Sequence, residues 1–166
     1  GEELGQTETK LEFKEFTDPP GIEFWPEEAG RDGCRTPMVW NSQKLNAGFS
    51  EVKPWLPVKK EQKQKSIDLQ EDKNDSVLSF YKEMIKARKE HFKEIYDFDF
   101  ISSNDLLIFS KGSSKKIICI FNLDNETKRI EKNNYQYDSA FPSNNLSTEN
   151  DYYVFQPDGF GFFNLK

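Results

Sequence analysis

Two cysteines and a single histidine are all the thiols and imidazoles that 166 residues supply as metal ligands. Cys34 and Cys119 lie far apart and in different contexts, too sparse for a disulfide framework, and read as free thiols of a reducing cytoplasm. His91, on the C-terminal side of a helical pattern, has no second His or Cys near it, so no metal site is expected. No zinc spacing, phosphate loop or Ser/His/Asp arrangement occurs, and no cofactor is expected. Long apolar runs are lacking too: mean hydropathy is -0.84, and no stretch approaches a membrane-spanning helix. The chain opens at Gly1 with no Met, charged leader or apolar segment, so no signal peptide is visible. A basic excess is likewise missing. Lys and Arg number 23 against 29 Asp and Glu, a net charge of -6 and a pI near 5.0. That balance argues against a nucleic-acid partner and is compatible with a neutral ligand, although solubility alone explains it equally well.

The length has room for one compact domain, or for the remnant of a larger one followed by a small second domain. Residues 1–57 are rich in Pro, Gly and aromatics and follow no period, which predicts long ordered loop around short elements, with one helical turn at 14–17. Residues 59–75, KKEQKQKSIDLQEDKND, read as a polar surface connection. Asp75 or Ser76 can cap a helix in which Val77, Leu78, Tyr81, Met84, Ile85, Arg88 and Phe92 share one face. Strand patterns follow at 105–110 and 116–122 around a turn at Gly112-Ser113-Ser114, the second apolar on both faces. A strand at 126–131 is possible in the pattern. A closing hairpin is expected from 152–156 and 160–163 around Pro157-Asp158-Gly159.

The run at 30–50, GRDGCRTPMVWNSQKLNAGFS, puts two arginines, an aspartate, a Trp and turn glycines into one loop with no period. A loop that long is usually functional. Arg31 and Arg35 offer planar, permanently charged donors suited to hydroxyls or to pinning a carboxylate; a structural ion pair with Asp32, Glu27 or Glu28 is the alternative. Phe24 and Trp25 sit between Asp18-Pro19 and Pro26, where a ring can stack on a flat ligand face or pack the loop itself. Trp40 and Trp55 read as loop anchors, and Asn46-Ala47-Gly48-Phe49 as a turn in which Gly48 needs unusual backbone angles. Glu2 and Glu3 are adjacent, and neighbours on extended chain point to opposite faces, so they do not form a convergent acid/base pair.

This run resembles the RDxxRTPMxW...NAGFS signature of α-glucosidases in the α-amylase family of glycoside hydrolases; GEELG at 1–5 and DPPGIEFWP at 18–26 fit the bacterial members. The resemblance implies an α/β barrel C-terminal portion (last strand, long loop and last helix) followed by a small all-β antiparallel C-terminal domain. The division would be residues 1–96 for the end of the catalytic barrel and 97–166 for a β-sandwich. It implies hydrolysis, with retention, of terminal α-glucosidic bonds of short oligosaccharides, in the cytoplasm, with no nucleic-acid or membrane partner. By the same resemblance the catalytic nucleophile, acid/base and stabilising carboxylates lie upstream of GEELG, so catalytic residues in this chain are none, and the chain needs the N-terminal barrel portion to work. Substrate-binding residues would be Arg35, Arg31, Phe24 and Trp25, with Arg35 favoured because it lies inside the RTPMxW core. Sugar isomerases and transglycosylases of the trehalose synthase or sucrose isomerase kind share RTPMxW. Non-catalytic heavy chains of amino-acid transporters carry the same barrel, and both remain alternatives.

Overall fold

The computed structural model describes residues 1–93, 96–101, 103, 105–112 and 117–165. The chain divides into two compact units, Gly1–Lys82 and Glu83–Lys166.

The first unit is loop threaded with short helices: α1 Pro19–Glu23, α2 Lys60–Lys63, α3 Ile67–Gln70 and the start of α4 Val77–His91. Its apolar centre is Leu4, Val39, Ala47 and Leu78, with Met38, Val58 and Ile67 against them. So little apolar surface leaves the rest to hydrogen bonds. The connection at 59–75 is the clearest correction to the sequence reading, since it is built into the unit rather than laid over it. The Gln62 side chain is buried, accepting the Lys59 N–H at 2.8 Å and donating to Thr36 Oγ1 at 2.7 Å. The Gln70 amide donates to the Leu4 and Lys65 carbonyls, and its oxygen accepts the Leu78 N–H. Lys59 Nζ meets both oxygens of Glu15 at 2.6 and 2.7 Å.

No strand occurs among the described residues of this unit. The strand end expected at the start is a 3-10 turn, Glu2–Leu4, in which the Leu4 and Gly5 N–H groups bond back to Gly1 and Glu2 and Gly5 turns left-handed at φ 61. A parallel barrel strand needs neighbours on both sides, and without them the segment satisfies its backbone locally. The turn at 46–48 is as unusual as Gly48 announced: Asn46, Ala47 and Gly48 all have positive φ. It persists because Ala47 is sealed in the core, its carbonyl accepts the Trp40 and Asn41 N–H groups, and the Asn46 side chain caps the Ser50 and Val52 carbonyls. Trp40 and Trp55 are 52% and 64% exposed, so neither anchors the loop within this unit.

Helix α4 begins where the sequence places it, Ser76 Oγ accepting the Ser79 N–H at 3.1 Å. Leu78 and Ala87 are its buried positions, whereas Ile85, on the expected face, stays half exposed.

The second unit is a curled, seven-stranded antiparallel sheet of β1 Phe98–Ile101, β2 Leu107–Lys111, β3 Ile117–Phe121, β4 Lys128–Glu131, β5 Tyr135–Tyr137, β6 Asn144–Glu149 and β7 Tyr152–Leu165. The long strand β7 organises it. Residues 152–155 pair with β4 and β6, and residues 160–164 pair with β3 and overlap β5. The hairpin expected at Pro157-Asp158-Gly159 is therefore a kink in one continuous strand. Asp158 takes φ 59, and a Cβ on Gly159 would meet the Asn145 and Gln156 carbonyl oxygens at 2.7 Å, so the chain bends there without reversing. Strand β3 is apolar on both faces as read. Ile118 and Ile120 join Leu106, Ile108, Tyr153, Phe155 and Phe163, and Ile117 and Cys119 join Ala87, Phe141 and Phe162. Residues 113–116, which include most of the turn expected between β2 and β3, lie outside the described residues. Strands β1, β5 and β6 add to the strands foreseen.

Candidate functional site

The signature loop closes on itself through two aspartates. Pro19 and Pro20 start α1, and Asp18 precedes them in extended conformation, as a residue before proline must be. Asp18 stands at the helix N-cap, yet its side chain makes no cap hydrogen bond. It turns outward instead: Oδ2 accepts the Arg31 N–H at 2.7 Å, and Oδ1 takes Arg35 Nη1 at 3.2 Å. Two glycines permit the approach. A Cβ on Gly30 would lie 2.6 Å from Asp18 Oδ2 and 2.8 Å from the Gly21 nitrogen; one on Gly21 would lie 2.5 Å from the Ala29 oxygen. Gly30 also has φ 64, a left-handed conformation that favours glycine.

Asp32 lies beneath, fully buried. Among the described residues no cation forms an ion pair with its carboxylate. Oδ2 accepts the Thr17 and Asp18 N–H groups at 2.6 and 2.8 Å, and the Thr17 hydroxyl lies 3.1 Å from both oxygens. Burial pushes this carboxyl up, but the Thr17 and Asp18 donors, with Arg35 nearby, outweigh it and hold it below its ordinary value. The Arg35–Asp18 pair replaces the partners expected for the arginines, because Asp32 is taken up by backbone. Arg31 is exposed, and its guanidinium enters no ion pair among the described residues.

Phe24 and Trp25 are both on the surface, 51% and 43% exposed. They differ in support. Trp25 forms a cluster with Phe16 at 5.1 Å and Phe13 at 6.0 Å, so its ring also packs the loop, while Phe24 shares no ring contact with them. Glu2 accepts the Tyr81 hydroxyl at 2.9 Å, and Glu3 lies against the Gly1 amino group. His91 closes α4 with its ring 4.4 Å from Phe141. Cys34 and Cys119 are both free thiols. No group of three potential metal-ligating side chains and no helix long and apolar enough to cross a membrane occurs among the described residues.

The loop brings the Arg31 main-chain N–H and the Arg35 guanidinium together on Asp18. What the sequence reading missed is that Asp18 and Asp32 do the holding. The available signal was an Asp directly before Pro-Pro, a strong N-cap type left for another task, and an Asp enclosed by glycines.

Residues 1–97 match the alpha amylase catalytic domain. A probable alpha-glucosidase of Rhizobium meliloti is 36% identical over 134 residues, which is 79% of this chain and 24% of that protein. An oligo-1,6-glucosidase of Parageobacillus thermoglucosidasius is 29% identical over 175 residues, covering 84% of this chain and 31% of the enzyme. The crystal structure of the alpha-glucosyl transfer enzyme XgtA superposes on the whole chain with a TM-score of 0.85 and 27% identity, over 32% of its own length. The chain thus spans 24–32% of the length of these relatives.

Proposed function

The chain belongs to the alpha-amylase family, and from that membership we propose that it forms the C-terminal part of a retaining α-glucosidase acting on terminal α-glucosidic bonds of short oligosaccharides. The nucleophile and the acid/base belong to sequence preceding Gly1. A retaining pair needs two carboxylates about 5–5.5 Å apart and opposed across the bond, and Glu2 already accepts the Tyr81 hydroxyl. The part of this chain in the reaction is to hold the sugar. The observation that carries this reading is the Asp18 carboxylate holding the Arg31 main chain and the Arg35 guanidinium in an open, aromatic-flanked loop. Arg31, whose guanidinium has no ion-pair partner among the described residues, is assigned to the terminal glucose or to a carboxylate that binds it. Arg35 is its neighbour, steadied by Asp18. Phe24 offers a ring face to the sugar, and Trp25 does so from a packed position. Free thiols fit the reducing cytoplasm in which we place the enzyme.

Transfer to a sugar hydroxyl instead of water is the second reading, favoured by the resemblance in fold and sequence to the alpha-glucosyl transfer enzyme. Proton NMR of the first products from maltose, isomaltose and sucrose tests both. The enzyme carrying this chain should release α-glucose first, with β-glucose appearing only by mutarotation, and the 166-residue chain alone should release none. β-Glucose appearing first would contradict retention, turnover by the rigorously purified chain would contradict the placement of the carboxylates, and a new disaccharide as main product would select transfer.

A further inference from the structure

We propose that Asp32 is a positioning residue for the sugar subsite, acting through Asp18 on both Arg31 and Arg35. This rests on the reading of the loop as a sugar-binding loop. A buried carboxylate without a cationic partner is costly unless several donors converge on it, and here all of the donors come from two consecutive residues, Thr17 and Asp18. Those residues immediately precede Pro19 and Pro20, whose rings already fix their own φ. Asp32 therefore clamps the last soft dihedrals of the segment. From this fixed main chain the Asp18 carboxylate holds the Arg31 backbone with one oxygen and the Arg35 guanidinium with the other. Gly30 permits this arrangement, because a Cβ there would sit 2.6 Å from Asp18 Oδ2. The origin of the Arg31 side chain and the direction of the Arg35 fork thus depend on one exposed-side carboxylate, and that carboxylate depends on the buried one. Substrate contacts of this kind tolerate little misplacement.

Asp32→Asn keeps the shape and removes one acceptor. In the 166-residue chain, amide hydrogen exchange of Thr17, Asp18 and Arg31 should quicken by about tenfold or more, while the Ile120 amide in β3 keeps its protection. Unchanged exchange at Arg31 would overturn the linkage. In the enzyme carrying this chain, Asp32→Asn should raise KM for maltose by about tenfold with a smaller effect on kcat. Asp18→Asn should do the same, and the double variant should be no worse than either alone, because one relay is broken in all three. Lys59→Gln, which removes the Glu15 ion pair in the same unit, controls for general loosening and should leave KM unchanged. Additive effects of the two aspartate variants, or a KM shift as large in Lys59→Gln, would overturn the positioning role. An Arg31→Lys variant with wild-type KM would instead remove the sugar reading and the positioning role with it, whereas a raised KM in Arg31→Lys beside an unchanged Asp32→Asn would overturn the positioning role alone. If Asp32→Asn does not fold, the Asp18→Asn variant carries the same test, since the Asp18 side chain is 12% exposed and reports directly on the arginines.

Discussion

Asp32 carries its charge where no solvent reaches it, and the pH dependence follows from the direction of its shift. A carboxylate held below its ordinary value binds fewer protons in the folded than in the unfolded chain. Its contribution to stability is complete above the unfolded value, 3.8, and is lost as pH falls through the lower folded value. Glu15, tied to Lys59, and Asp68, held by Ser66 and Ser42, are shifted the same way. Urea unfolding of the wild type and Asp32→Asn should show a clear gap in midpoint near neutrality, and the gap should narrow once the pH drops well below 3.8. A gap that stays constant or widens in acid would mean that Asp32 is not charged in the folded state. Cys119 shows the contrary case: burial without donors pushes its thiol up to about 12, and it acts as core.

Single elements were legible in proportion to how much of their stability is local. Strand β3 and helix α4 carry their own patterns, a doubly apolar run and a capped amphipathic period, and both lie within a residue or two of where those patterns put them. The kink at Asp158 was not legible, because Pro-Asp-Gly is equally the chemistry of a reversal. What keeps β7 from reversing is its pairing with β3 after the kink and with β4 and β6 before it, contacts no short window contains. The 59–75 connection misled for the opposite reason: Gln62 and Gln70 are polar by composition yet structural through the partners they find. Burial differs as sharply between strands as between these segments. Ile118 is sealed on β3, while Phe100 on the edge strand β1 is 70% exposed. Ile118→Ala should cost about 2–5 kcal/mol and Phe100→Ala under about 1 kcal/mol, read from chemical unfolding midpoints at constant slope. Comparable losses at the two positions would show that β1 is covered.

At the scale of the whole molecule, the signature loop was readable as a candidate site from its residue types and spacing, but the means by which it holds its shape were not. Arg31, Arg35, Phe24 and Trp25 are surface residues of the first unit, and the aspartates that organise the arginines come from segments more than a dozen residues apart. The chain spans 24% and 31% of the two relatives compared, and we assign the catalytic carboxylates to the part it does not span. The claim that this loop binds the terminal sugar is tested most directly by the kcat/KM of Arg31→Lys for maltose in the enzyme carrying this chain, measured beside its melting temperature. Lysine keeps the charge but not the planar fork, so the value should fall by more than about tenfold with the melting temperature unchanged. A wild-type kcat/KM would contradict the account and leave the loop as scaffold.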